Sequence, residues 1–150
     1  MDPLPFRLPV PGLDEIDGLD VTSISVKVEG LAHWSDGILT LEWSETQHID
    51  EVSFSKVRSD VVVTPPLAID IPIDVLAKAT VAGGWWRPRL ELRARYVDAF
   101  ANLPGAKPGR VELRLKWRDR GLARQMAAAL ETAITNHQLA TAAERRAIGP

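Results

Sequence analysis

The chain reads as a mainly-β domain, an antiparallel bent barrel or sandwich of six to seven strands closed by one C-terminal amphipathic helix. Three observations predict this class. Apolar and polar residues alternate with period two in several runs before Trp117. Glycines and prolines punctuate those runs at the short intervals expected of turns. Beyond Trp117 the spacing changes to three and four, placing Leu122, Met126, Leu130, Ala133 and Ile134 on one stripe.

Residues 1–19 carry Pro3, Pro5, Pro9 and Pro11, and each ring fixes φ and removes a backbone donor. They are read as an extended arm that contributes no inner strand. The β domain proper is placed at residues 20–137. Ile24, Val26 and Val28 alternate with Ser25, Lys27 and Glu29 until Gly30 interrupts. Ser35-Asp36-Gly37 supplies a turn, and Leu39, Leu41 and Trp43 resume the alternation as the second arm of a hairpin. Further strands are expected around Val52 and Phe54, at Val61–Val63 and through Leu67, Ile69 and Ile71. Ile73 to Ala79 suits a single helical turn, and Gly83-Gly84 breaks the chain before Trp85 and Trp86.

The sharpest alternation lies in Leu90, Leu92, Ala94 and Tyr96 and in Val111, Leu113, Leu115 and Trp117, each interleaved with charged residues. Trp43 and Trp117 fall in register with the apolar positions and are read as core. Asp119 is positioned to cap a helix over residues 120–137. Residues 138–150 form a tail that either prolongs the helix or frays.

With 150 residues, 45% hydrophobic and 25% charged, the chain can enclose one core without disulfide or metal support. It has no cysteine, which excludes a disulfide framework, thiolate zinc ligands and a cysteine nucleophile. No apolar run is long enough for a membrane-spanning helix, and no basic segment followed by an apolar block opens the sequence. A cytoplasmic protein is the expectation. The net charge of −2 conceals an asymmetry, since residues 1–84 hold 5 Lys/Arg against 14 Asp/Glu while residues 85–125 hold 11 against 4.

The run Val111, Leu113, Leu115 and Trp117 passes directly into the Leu122/Met126/Leu130/Ile134 helix, and Ile71-Pro72-Ile73-Asp74-Val75-Leu76 turns a strand into a short bend. Strands followed by a closing C-terminal helix in this order resemble the pleckstrin-homology (PH)-like superfold, across roughly residues 20–137. The resemblance implies a bent β-barrel plugged by the helix. PH domains typically carry a tryptophan within that helix, whereas Trp117 precedes it here. The first hairpin loop, Leu31-Ala32-His33-Trp34-Ser35-Asp36-Gly37, lacks the basic residues of phosphoinositide-binding members, so phosphoinositide binding is not implied.

His33, His48 and His137 are scattered and match no metal-ligand spacing, so neither a metal nor a cofactor is expected. Asp70 and Asp74, or Asp50 and Glu51, could pair as acid and base, but nothing sets them apart from solubilising surface acids. Gly83-Gly84 and the Pro104-Gly105 to Pro108-Gly109 connector match no phosphate loop, and no nucleophile motif is present. No enzyme activity is expected.

The arginine ladder is the strongest binding feature. Arg89, Arg93 and Arg95 on one strand and Arg110, Arg114 and Lys116 on the next should share an outward face with Glu91 and Glu112. Guanidinium forks suit carboxylate and phosphate groups, and a solvated face bridged by the two glutamates is the alternative. Trp85 and Trp86 should point in opposite directions, with one ring either anchoring a partner or capping the barrel. The function read from these residues is a non-enzymatic interaction domain whose partner is a protein rather than a nucleic acid. A barrel holding a small or anionic ligand is the alternative, and the sequence sets no oligomeric state.

Overall fold

The computed structural model describes residues 1–149. It shows nine antiparallel strands in one bent sheet: β1 (Leu4–Leu8), β2 (Leu13–Asp17), β3 (Asp20–Ser35), β4 (Ile38–Val52), β5 (Val57–Val63), β6 (Leu67–Pro72), β7 (Leu76–Ala82), β8 (Arg89–Ala94) and β9 (Arg110–Arg114). One helix, α1 (Arg120–Ile148), follows. The mainly-β class with a C-terminal helix is as the sequence predicts. The strand path runs β5-β4-β3-β1-β9-β8-β7, with β2 also on β3 and β6 also on β4, so the sheet has ends and is bent like a sandwich without closing into a barrel.

The spine is the β3–β4 hairpin, paired without a break from Ser35 and Ile38 out to Val21 and Val52. Asp36 and Gly37 take positive φ angles of 52° and 76°, as a two-residue hairpin loop requires. Gly30 does not interrupt β3 as its lack of a side chain suggested; it pairs with Trp43, and a Cβ there would strike the Glu42 carbonyl and the Phe6 ring. It lies opposite Phe6 of the N-terminal strand, whose ring occupies the space a side chain would need.

That strand corrects the reading of residues 1–19 as an extended arm without an inner strand. β1 lies inside the sheet between β3 and β9, and Leu4, Phe6 and Leu8 are buried while Pro5 and Arg7 face out. Pro5 is tolerated because β9 meets β1 only at Arg7 and Arg114, so no ladder bond on that side falls to residue 5. Residues 13–17 then form β2 along the outer part of β3.

β1 and β6 flank the inner half of the hairpin, whereas β2 and β5 flank its outer half. The inner half belongs to the body. The outer half is a four-stranded arm in which every residue of β2 and β5 is exposed. Phe54, expected in a strand, sits in the turn between β4 and β5 and is 93% exposed.

The core joins Leu4, Phe6, Leu39, Leu41, Leu90, Leu92, Val111 and Leu113 of the sheet to Ala123, Met126, Leu130 and Ile134 of α1. Helix α1 continues through Ile148, so most of the 138–150 tail is helical. A 3-10 turn at Trp117–Asp119 leads into it, and the Asp119 side chain forms no capping hydrogen bond. This turn ends β9 early and leaves Trp117 68% exposed, outside the core expected for it. Only Ile73–Val75 of the expected helical segment turns, again as 3-10; Leu76–Ala82 is strand β7, with a register shift between Leu76 and Lys78.

Met126 is completely buried. Met126→Ala should lower the unfolding free energy by about 2–5 kcal/mol through the cavity left between α1 and the sheet. Chemical denaturation checks this, and a change below about 0.5 kcal/mol, the range of surface substitutions, would place Met126 outside the core.

Candidate functional site at the β1–β9 junction

β8 and β9 pair Arg89 with Arg114, Glu91 with Glu112 and Arg93 with Arg110. The neighbouring strands extend the rows, with Arg7 beside Arg114 and Lys78 beside Arg93. Like charges therefore face each other across strands, and a carboxylate row separates two cationic rows. Directly opposed like charges destabilise a sheet unless neighbouring rows neutralise them.

Arg89 ties one cationic row to the carboxylate row. Its Nε donates to Glu91 Oε1 at 2.9 Å and lies 4.0 Å from Glu112 Oε2. The hydrogen bond to Glu91, opposed by desolvation and helped by the charges of Glu91 and Glu112, raises the Arg89 pKa further and keeps it charged. Arg7 pairs with Glu29 at 3.4 Å. The Lys27 hydrogen bond is the main reason that the Glu29 carboxyl is held below its ordinary range, with desolvation opposing and Lys27, Arg7 and Lys116 charges assisting. Such a depressed carboxylate contributes stability above its unfolded pKa and loses it as pH falls through the folded one. The contribution is small because half of this side chain is exposed. Arg87, Arg114 and Lys116 form no ion pair among the described residues.

β1 and β9 touch at a single residue pair and then diverge, opening a cleft of about 710 Å³. Its lining joins the apolar Phe6 and Leu8, the cations Arg7, Arg87, Arg89, Arg114 and Lys116, the acids Glu29, Glu112 and Asp119, and Trp86 with Pro88. The Leu115 amide donates to the Pro88 carbonyl at 2.9 Å, pinning the tryptophan turn to the end of β9.

This turn differs from the sequence expectation. Trp85 and Trp86 do not alternate across an extended chain, because residues 84–86 form a turn that begins at Gly84. Their rings lie 4.0 Å apart between centroids with planes inclined by 33°. Both are exposed, Trp86 at 73%, so neither caps the core.

The six expected basic residues divide between two depressions. Arg89, Arg114 and Lys116 line the β1–β9 cleft, whereas Arg93, Arg95 and Arg110 line a shallower depression with Tyr96 and Lys107. Arg95 and Lys116 lie just beyond the ends of β8 and β9, and Tyr96, expected on the apolar side, is 59% exposed. Sequence reasoning missed Arg7. It lay in the segment read as an extended arm, yet its alternation between Phe6 and Leu8 was a visible strand signal.

Of the four acids considered as acid–base pairs, Asp50 and Asp70 have structural partners. Asp50 accepts a hydrogen bond from Ser59 and Asp70 one from Thr40, each at 2.7 Å on an exposed sheet face. Among the described residues no helix is long and apolar enough to cross a membrane. The lining sets five cations against three carboxylates beside the Trp86 ring, so guanidinium donors are in excess there. No family model, curated protein or solved structure matches this chain.

Proposed function

We propose that this chain is a non-enzymatic interaction domain of PH-like architecture that binds an acidic segment of a protein partner in the β1–β9 cleft. The observation carrying this reading is the convergence of Arg87, Arg114 and Lys116, cations without an ion-pair partner among the described residues, on the cleft that Trp86 walls. An exposed tryptophan beside free guanidinium groups has the composition of a binding hot spot. The order of the strands, with a long C-terminal helix covering the core, supports the PH-like architecture.

A small anionic ligand is the second reading. The cleft volume of about 710 Å³ falls within the range of such sites and favours it. The exposure of Trp86 and the excess of five cations over three carboxylates in the lining favour the longer peptide.

Titration of an array of Asp/Glu-rich and phosphoserine peptides tests the proposal, with inorganic phosphate and anionic vesicles alongside. Trp86→Ala should weaken the best peptide by roughly 30-fold, the size of a loss of about 2 kcal/mol at a hot spot, with an unchanged melting temperature. Binding should also weaken steeply with salt, because the Debye length falls from about 10 Å at 0.1 M to 3 Å at 1 M. Phosphate binding with no peptide binding would select the small-ligand reading, and binding by Trp86→Ala equal to wild type would refute the role of the tryptophan turn.

A further inference from the structure

A β-sheet edge presents unpaired amides and carbonyls, and folded proteins blunt it with proline, charge or a covering element. At one end of this sheet β7 lies under α1, and the Glu131 carboxylate accepts the Ala79 amide at 2.7 Å. Along the other end, Pro65, Pro66 and Pro72 remove donors from β6 and the segment before it. The edge of β2 carries Asp14, Glu15 and Asp17 in five residues. β5 has no proline, no covering element and no net charge. Its seven residues, Val57-Arg58-Ser59-Asp60-Val61-Val62-Val63, are all exposed and include four valines.

The two charges of β5 select a partner. An antiparallel pair of identical strands related by a twofold axis keeps each face continuous only when residue numbers across the pair sum to an even value. Centring the axis on Asp60 places Asp60 opposite itself, and centring it on Arg58 places Arg58 opposite itself. Centring it on Ser59 places Arg58 opposite the second copy's Asp60 twice and Val57 opposite the second copy's Val61 twice. Within one chain Arg58 and Asp60 already share a face, 3.4 Å apart, so the two copies would form a four-charge cluster of alternating sign.

From this edge we infer that the chain forms a twofold homodimer through β5, antiparallel and centred on Ser59, which joins the two four-stranded arms into one eight-stranded sheet. The row Ile16, Val21, Val52 and Val57 on one arm face continues into the second copy's Val61. That row is exposed in the single chain. The main-chain ladder provides affinity, while the Arg58–Asp60 crossings fix register and reject a slipped pairing. A twofold pairing centred on Ser59 occupies residues 57–61 of the β5 edge and stops at two copies, whereas β5 on β2 would propagate into an open chain. The inference concerns the arm and is independent of the proposed role of the cleft.

Sedimentation equilibrium on the full chain from about 1 to about 200 µM, spanning the affinities usual for such contacts, measures the mass directly. Twice the 16.5 kDa of the chain is expected at the upper concentrations. Arg58→Asp and Asp60→Arg alone should each weaken the dimer by roughly tenfold or more, because two crossings turn repulsive. Mixing the two variants should restore it, since positions 58 and 60 then carry opposite charges across the pair only between unlike copies. Val61→Lys, also exposed, should give a monomer with the wild-type circular dichroism and melting temperature. A wild-type monomer throughout, a mass that grows beyond two chains, or single variants that dimerise as tightly as wild type would each overturn the inference.

Discussion

Removing residues 1–8 is expected to abolish cooperative unfolding, even though the segment is short and contains two prolines. The deletion takes away β1, which lies between β3 and β9, and exposes the core faces of both. Leu4, Phe6 and Leu8 are almost completely buried. At about 1.5–3 kcal/mol for each buried apolar side chain, their loss costs roughly 5–9 kcal/mol, comparable with the total stability of a typical domain. Phe6→Ala is the milder test and should cost about 3–5 kcal/mol. Differential scanning calorimetry reads both. A truncated chain that melts in one sharp transition near the wild-type temperature would show that β1 is not part of the sheet.

Gly30→Ala should destabilise the domain by about 3 kcal/mol, at the upper end of what overpacking usually costs. The added Cβ meets the Glu42 backbone carbonyl of the paired strand and lies 2.5 Å from Cζ of Phe6. The backbone atom cannot move without breaking the β3–β4 ladder, and the ring cannot move without leaving the core. For a chain of this length the melting temperature should fall by roughly 6–12 °C. Combining Gly30→Ala with Phe6→Leu should recover part of the loss, because the two sites are in contact and their effects are not additive. A neutral Gly30→Ala variant would mean that β1 does not cross β3 where the structure places it.

These two variants mark where the sequence was hard to read. Alternation of Phe6 and Leu8 around Arg7 indicated a strand, but the surrounding prolines argued more strongly for an arm. What makes the prolines harmless is the single-residue contact between β1 and β9, a tertiary feature with no local signal. β7 was hidden by its register shift, which breaks period two between Leu76 and Lys78. β8 and β9 were legible because regular pairing between them leaves the alternation intact. Helix α1 was legible at its start through Leu122, Met126, Leu130 and Ile134, and its polar extension to Ile148 carried no core pattern.

The candidate site followed the same division. Strand periodicity placed Arg89, Arg93, Arg110 and Arg114 on one face. It could not reveal that the carboxylate row divides that face, that two separate depressions result, or that the tryptophan turn folds over only one of them. Those features arise from the divergence of β1 and β9 and from the hydrogen bond between Leu115 and Pro88.

That division permits a direct test of the cleft as the binding surface. Arg114→Glu and Arg93→Glu make the same charge reversal at exposed positions on adjacent strands, so each changes the net charge of the molecule equally. Only Arg114 lines the β1–β9 cleft, while Arg93 lines the other depression. Affinity for the tightest acidic peptide, measured by calorimetric titration for wild type and both variants at one salt concentration, separates the two surfaces. The account predicts that Arg114→Glu loses roughly 100-fold or more in affinity, as for a desolvated charge contact worth about 3 kcal/mol, while Arg93→Glu stays within about threefold of wild type. Equal losses in both variants, or a loss confined to Arg93→Glu, would contradict it.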